Sequence, residues 1–202
     1  MEKIKNGSKI KDYYMAHKIN FEFISNKIFR NSFIFTGEIN DKDLIDKLIE
    51  DTREGVKIST ISGKTNVKGT HTEFEYFVNN SNFHKFFRLI QPSIFEMFKK
   101  NLIIKDAWGN ICNKNDEVIE HTHLGTTGFC GILYLTDNGP GTYFKDFDIL
   151  VEEKIGKYVI FDPLLYHSVE KITEQKERIT IAFNIDLVSP WIDYNKSIFI
   201  KK

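Results

Sequence analysis

Cysteine is nearly missing from this chain: only Cys112 and Cys130 occur among 202 residues. Two thiols cannot build the disulfide framework of a small secreted domain, so both read as free thiols in a reducing compartment. Proline is scarce as well, at 4 residues, and no Pro/Gly/Ser stretch separates two domains. Nowhere does an apolar run reach the ~18 residues of a membrane span. Met1 to Lys18 is polar and Lys-rich, unlike a secretory leader. Excess charge of one sign is also lacking. The 28 Lys and Arg balance 28 Asp and Glu, which leaves no global field to draw in nucleic acid or an anionic membrane. There is no Gly-rich phosphate loop and no strand–helix–strand alternation, which speaks against a nucleotide-binding parallel sheet. The expectation is one cytoplasmic domain over residues 1–202, with neither nucleic acid nor membrane as partner.

What the chain has in quantity is aromatic and β-branched residues, including 18 Phe. Phe21-Glu22-Phe23-Ile24 alternates and Ser32 to Phe35 is β-rich, so the chain opens with strands. Asn40 or Asp41 can cap a helix through Leu44, Ile45, Leu48 and Ile49 that ends near Gly55. Glu54 to Thr72 has little periodicity and reads as a mobile loop, able to serve an enzyme as a lid. From Asn80 to Asn101 runs a broad apolar stripe (Phe83, Phe86, Phe87, Ile90, Ile94, Met97, Phe98). Pro92 should break or kink it, or open a second helix. Beyond Leu102 short β-rich runs follow one another: 103–112, 128–136, 141–144, 148–152, 157–161, 167–172 and 178–187. Many short strands behind a helical segment predict an α+β protein, mainly β, whose sandwich or barrel is buttressed on one side by N-terminal helices. On this division 1–101 supplies strands and supporting helices, 102–188 the barrel core, and 189–202 a C-terminal extension.

Six histidines occur. His17, His71 and His84 have no partner at ligand spacing and read as surface or structural residues. His121 and His123 follow Glu117-Val118-Ile119-Glu120. If that segment is extended, both imidazoles project to one face while Glu120 and Thr122 point away. Two imidazoles so placed can share a metal ion. Downstream, a turn at Gly156 feeds the buried run to Phe161, then His167. Arg178 next opens an otherwise apolar strand, with Thr180 on its face. An Arg pointing inward there needs an anionic partner, whereas one at the strand's mouth would pair with a surface Glu.

Taken in order, His121-x-His123, Ile132-Leu-Tyr-Leu-Thr136, Gly141-Thr-Tyr-Phe, Gly156 to Phe161, His167 and Arg178-x-Thr180 resemble the 2-oxoglutarate- and Fe(II)-dependent oxygenases. The likeness covers roughly Asp106 to Asp186 and is nearest to small bacterial and phage members with a tandem H-x-H. It implies a double-stranded β-helix, a jelly-roll or cupin-like barrel, with Fe(II) in its open end and 2-oxoglutarate and O2 as cosubstrates. It implies His121, His123 and His167 as metal ligands, and Arg178, Thr180, Tyr134 and Asn110 around the cosubstrate. A peptide, as in prolyl hydroxylation, or a small metabolite would be the substrate. His123 departs from the pattern, falling where most members have Asp or Glu. Two alternatives follow: a three-histidine cupin-type dioxygenase that uses no oxo acid, and a non-catalytic metal-stabilised or sugar-binding barrel. Oligomeric state is not legible.

Overall fold

Strand β11 (Arg178–Leu187) shows in miniature how this sequence folds. Ile179, Ile181, Phe183 and Ile185 fall on one side of it; Arg178, Thr180, Ala182 and Asn184 fall on the other. The first set joins the large apolar cluster that also holds the helical residues Leu44, Leu48, Phe83, Phe86 and Ile90. From the second set, Arg178, Thr180 and Ala182 line a cavity inside the barrel. The computed structural model describes residues 19–23, 32–61, 65–98 and 102–187. His17 and the extension 189–202 lie outside them.

The described elements run β1 (Ile19–Phe23), β2 (Ile34–Ile39), α1 (Lys42–Ile58), β3 (Thr70–His71), α2 (Ser81–Phe98) and β4 (Leu102–Cys112). They continue with β5 (Val118–His121), β6 (Phe129–Tyr134), β7 (Thr142–Phe144), β8 (Ile149–Val151), β9 (Lys157–Phe161), β10 (His167–Val169) and β11. A seven-stranded sheet has the order β1-β2-β9-β6-β11-β4-β3, and a four-stranded sheet the order β5-β10-β7-β8. Every pairing is antiparallel. A second apolar cluster joins the sheets: Ile34, Ile132, Tyr134, Val159 and Phe161 from the large one meet Phe144 and Val151 from the small one. The helices cover the large sheet's outer face. This is the expected jelly roll with helical support.

Three details differ from the sequence expectation. Helix α1 is capped by the Asp41 carboxylate, which accepts from the Leu44 N–H at 3.0 Å, but it runs past Gly55 to Ile58. Gly55 is there for close approach rather than termination, since a Cβ would come within 2.6 Å of Thr72 Cγ2. Helix α2 continues through Pro92. Phe83, Phe86, Ile90 and Ile94, all buried, press it onto the sheet, and roughly 1.5–3 kcal/mol per buried side chain outweighs the ~3 kcal/mol cost of an internal proline. The segment read as a free lid is stitched to both sheets. Thr70 and His71 pair with Ile111 and Asn110 of β4, and Val67 bridges to Val118 of β5. The Ile119 N–H also donates to the Asn66 carbonyl at 2.9 Å. Backbone pairing, which has no side-chain periodicity to advertise it, decided this segment.

Candidate metal centre

His121 ends β5 and His167 begins β10, and the two are register partners across the small sheet. That pairing brings their rings to 4.2 Å between centroids. His123 lies just past β5, where its N–H donates to the Pro163 carbonyl at 2.8 Å. Its ring centroid is 5.1 Å from each of the other two. One nitrogen from each imidazole can be chosen so that all three lie within 4.8 Å of one another. Glu120 points the other way and pairs with Lys145 at 2.8 Å on the surface. Strand alternation thus separates the imidazoles from the neighbouring carboxylate.

The local chemistry fits a metal ion. His121 Nδ1 lies 2.7 Å from the Ile119 carbonyl and His167 Nδ1 3.0 Å from the Leu165 carbonyl. A carbonyl only accepts, so in each ring the proton sits on Nδ1 and Nε2 keeps its lone pair, as in metal-binding histidines. His123 Nε2 and His167 Nε2 are 3.3 Å apart. Two nitrogens each about 2.1 Å from one ion, roughly 100° apart, would have this separation. Burial holds all three imidazoles neutral: it lowers His121, takes His123 down to about 4 and His167 to about 3. Phe161 and Phe144 wall the His167 ring at 4.7 and 6.0 Å.

Behind the histidines a narrow cavity of about 50 Å³ runs into the barrel, lined among others by Asn110, Thr142, Arg178 and Thr180. Arg178 is buried, and its Nε–H donates to Glu153 Oε1. The guanidinium points inward and has the anionic partner that such an arginine needs; that acid is itself buried, at 1% side-chain exposure, rather than a surface Glu. Burial pushes the Glu153 carboxyl above the usual range, and Arg178 opposes the shift. Asn110 Nδ2 is 3.5 Å from Thr180 Oγ1, and Asn110 Oδ1 is buried without a partner. Tyr134 stands apart from the other six named residues, because it does not line the cavity. Its hydroxyl donates to Thr142 Oγ1 at 2.7 Å, and its ring lies 5.9 Å from the Arg178 guanidinium carbon.

In front of the histidines lies an outer cleft of about 700 Å³, bordered by His71, Phe74, Asp106, Trp108, Leu124 and Asn184 among others. Phe74 meets Trp108 edge-on at 5.3 Å, and Trp108 lies 6.3 Å from His123. Leu124 is 82% exposed, an apolar side chain offered to solvent at the rim. Asn184 Nδ2 donates to Asp106 Oδ1 at 2.6 Å. Sequence reasoning missed this wall and Glu153. Glu153 could have been found by alternation, two residues beyond the inward-facing Val151. The cleft residues come from four separate segments and carry no common spacing.

No model of a known protein family matches the sequence, and no curated protein resembles it. Solved structures do resemble it in fold. A prolyl-4-hydroxylase from Pseudomonas putida aligns at a TM-score of 0.58 with 11% identity, over 90% of this chain and 99% of that one. The non-heme alpha ketoglutarate dependent epimerase SnoN from nogalamycin biosynthesis aligns at 0.60 with 9% identity, over 89% and 83%. HygX from Streptomyces hygroscopicus, solved with nickel, 2-oxoglutarate and hygromycin B, aligns at 0.53 with 10% identity, over 86% and 85%. The chain therefore shares the fold of these proteins. At these identities the likeness is one of fold, and chemistry has to be argued from the site.

Proposed function

We propose that this protein is a non-haem Fe(II)- and 2-oxoglutarate-dependent dioxygenase acting on a C–H bond of a peptide or small metabolite in the cytoplasm. The observation that carries the reading is the convergence of three imidazole nitrogens at the mouth of a cavity that also contains a buried arginine. His121, His123 and His167 would hold the ion. Bound there, Fe(II) with 2-oxoglutarate and O2 supplies the oxidising power for C–H cleavage, leaving succinate and CO2.

The remaining work falls to the chain's own residues. Arg178 binds the distal carboxylate of the oxo acid, with Thr180 beside it on β11 and Thr142 across the cavity. Tyr134 fixes the Thr142 hydroxyl and underlies the guanidinium. Asn110 offers a buried carbonyl oxygen with no protein partner. The narrow cavity suits a slim chain, and Phe161 and Phe144 keep water from the inner side of His167. Substrate would enter by the outer cleft, where Phe74, Trp108 and Leu124 supply apolar surface beside the Asp106–Asn184 pair.

Anaerobic titration tests this reading. Fe(II) followed by 2-oxoglutarate should produce a charge-transfer band in the visible, and Arg178→Ala should weaken its appearance at least tenfold. No band in the parent protein would sink the cosubstrate assignment. A second reading, a three-histidine dioxygenase using no oxo acid, draws support from the pairing of Arg178 with Glu153. It expects Arg178→Ala to leave metal binding and O2 consumption intact.

A further inference from the structure

Glu153 is the buried acid paired with the cavity-lining Arg178, and the oxygenase reading gives it no task. It follows β8 on the face of Val151, and its side chain is 1% exposed against 3% for Arg178. The pair is tightly enclosed. A Cβ on Gly139 would sit 2.7 Å from Arg178 Cδ and 2.8 Å from Glu153 Oε2, so only glycine fits beside it. Buried ion pairs are poor stabilisers, since apolar replacements of equal volume are often neutral or better. A close-packed pair at the end of a binding cavity calls for another explanation.

Charge supplies one. Three neutral imidazoles leave a divalent ion with both its positive charges. Arg178 adds a third, and Glu153 cancels one. The surplus of two matches the two negative charges of 2-oxoglutarate. The common facial site of two histidines and a carboxylate reaches the same surplus with its acid on the metal. We propose that Glu153 supplies at the arginine end the negative charge that His123 does not supply at the metal end. It acts as a positioning residue, holding Arg178 by its Nε edge so that the terminal nitrogens meet the distal carboxylate of the oxo acid. This rests on the oxo-acid reading above.

The test is calorimetric titration of 2-oxoglutarate into nickel-loaded protein, which requires no turnover. Glu153→Gln keeps an acceptor for the Nε–H and removes the charge, so the dissociation constant should fall about tenfold. His123→Asp should raise it by a similar factor, and the double variant should return to within about threefold of the parent. Glu153→Asp, which keeps the charge, should stay near the parent. 2-Oxobutyrate, which lacks the distal carboxylate, should bind the parent and Glu153→Gln with a much smaller difference. A merely structural role would move both ligands together.

Unchanged or weaker 2-oxoglutarate binding in Glu153→Gln, with no compensation in the double variant, overturns the assignment while leaving the oxygenase reading standing. A parent protein that binds no 2-oxoglutarate overturns both. Should the Gln variant not fold, His123→Asp alone decides, because its half-exposed site tolerates the change. Weaker binding supports the charge exchange, and equal or tighter binding refutes it.

Discussion

The two faces of β11 are built from the same backbone and put to opposite uses. Toward the helices it presents Ile179, Ile181, Phe183 and Ile185, packed with aromatic rings such as Phe83 and Phe86 at 5.6 and 5.9 Å from Phe183. Toward the barrel it presents Arg178, Thr180 and Asn184, all buried polar groups. Burying a polar or charged group costs free energy unless it is partnered. The inner face therefore needs Glu153, Asn110 and Asp106 to satisfy what the outer face never incurs. Apolar packing is concentrated on one side of the strand and buried polar groups on the other.

The separation can be broken from either side. The largest effect is expected at the metal end. His167→Ala should reduce turnover at least a thousandfold by removing a proposed ligand, while the metal-free protein melts within a few degrees of the parent. Loss of fold instead would place His167 among the structural residues. On the outer face, Phe183→Ala should cost about 3–5 kcal/mol in denaturant unfolding. The same variant, once folded, should retain the parent's 2-oxoglutarate affinity; a large loss of affinity would mean the two faces are not independent.

Arg178→Ala should fall in both categories. It strands a buried carboxylate, costing roughly 3–5 kcal/mol, and it removes the proposed anchor for the oxo acid. Arg178→Met with Glu153→Leu should recover most of the stability and none of the binding. Recovery of binding would refute the role given to Arg178.

The smallest effect is the pH response of the metal-free protein. Burial depresses the histidines, His123 to about 4 and His167 to about 3, against an ordinary value of 6.5. Below pH 6.5 the unfolded chain takes up protons that the folded chain refuses, so stability is full above 6.5 and declines as pH falls toward 4. Glu153, raised by burial, contributes a slope of opposite sign, so the His167→Asn variant is the proper reference. Thermal melts from pH 7.5 to 5 should show a steeper loss in the parent than in that variant. Equal slopes would contradict the buried neutral state of His167.

Much of this was legible without coordinates. The runs 157–161 and 178–187 coincide with β9 and β11, since period-2 alternation survives wherever both faces are buried in different surroundings. The spacing of His121 and His123 marked a shared face, and the position of Arg178 marked an inward charge that needed a partner. Less legible were the ends and the short elements. Gly55 resembled a helix stop but serves packing, and Pro92 resembled a break that tertiary contacts override. β3 has two residues and therefore no period at all.

The sequence by itself determined the barrel, its helical backing and the faces from which the histidines and the arginine project, because side-chain direction in a strand depends only on parity along the chain. Only the tertiary structure decided that the acid facing Arg178 is Glu153, that Tyr134 spends its hydroxyl on Thr142, and that Phe74 and Trp108 share a wall with His123. Those meetings join residues on different elements of the fold. No local rule relates their spacing, and they exist only once two sheets have closed on one another.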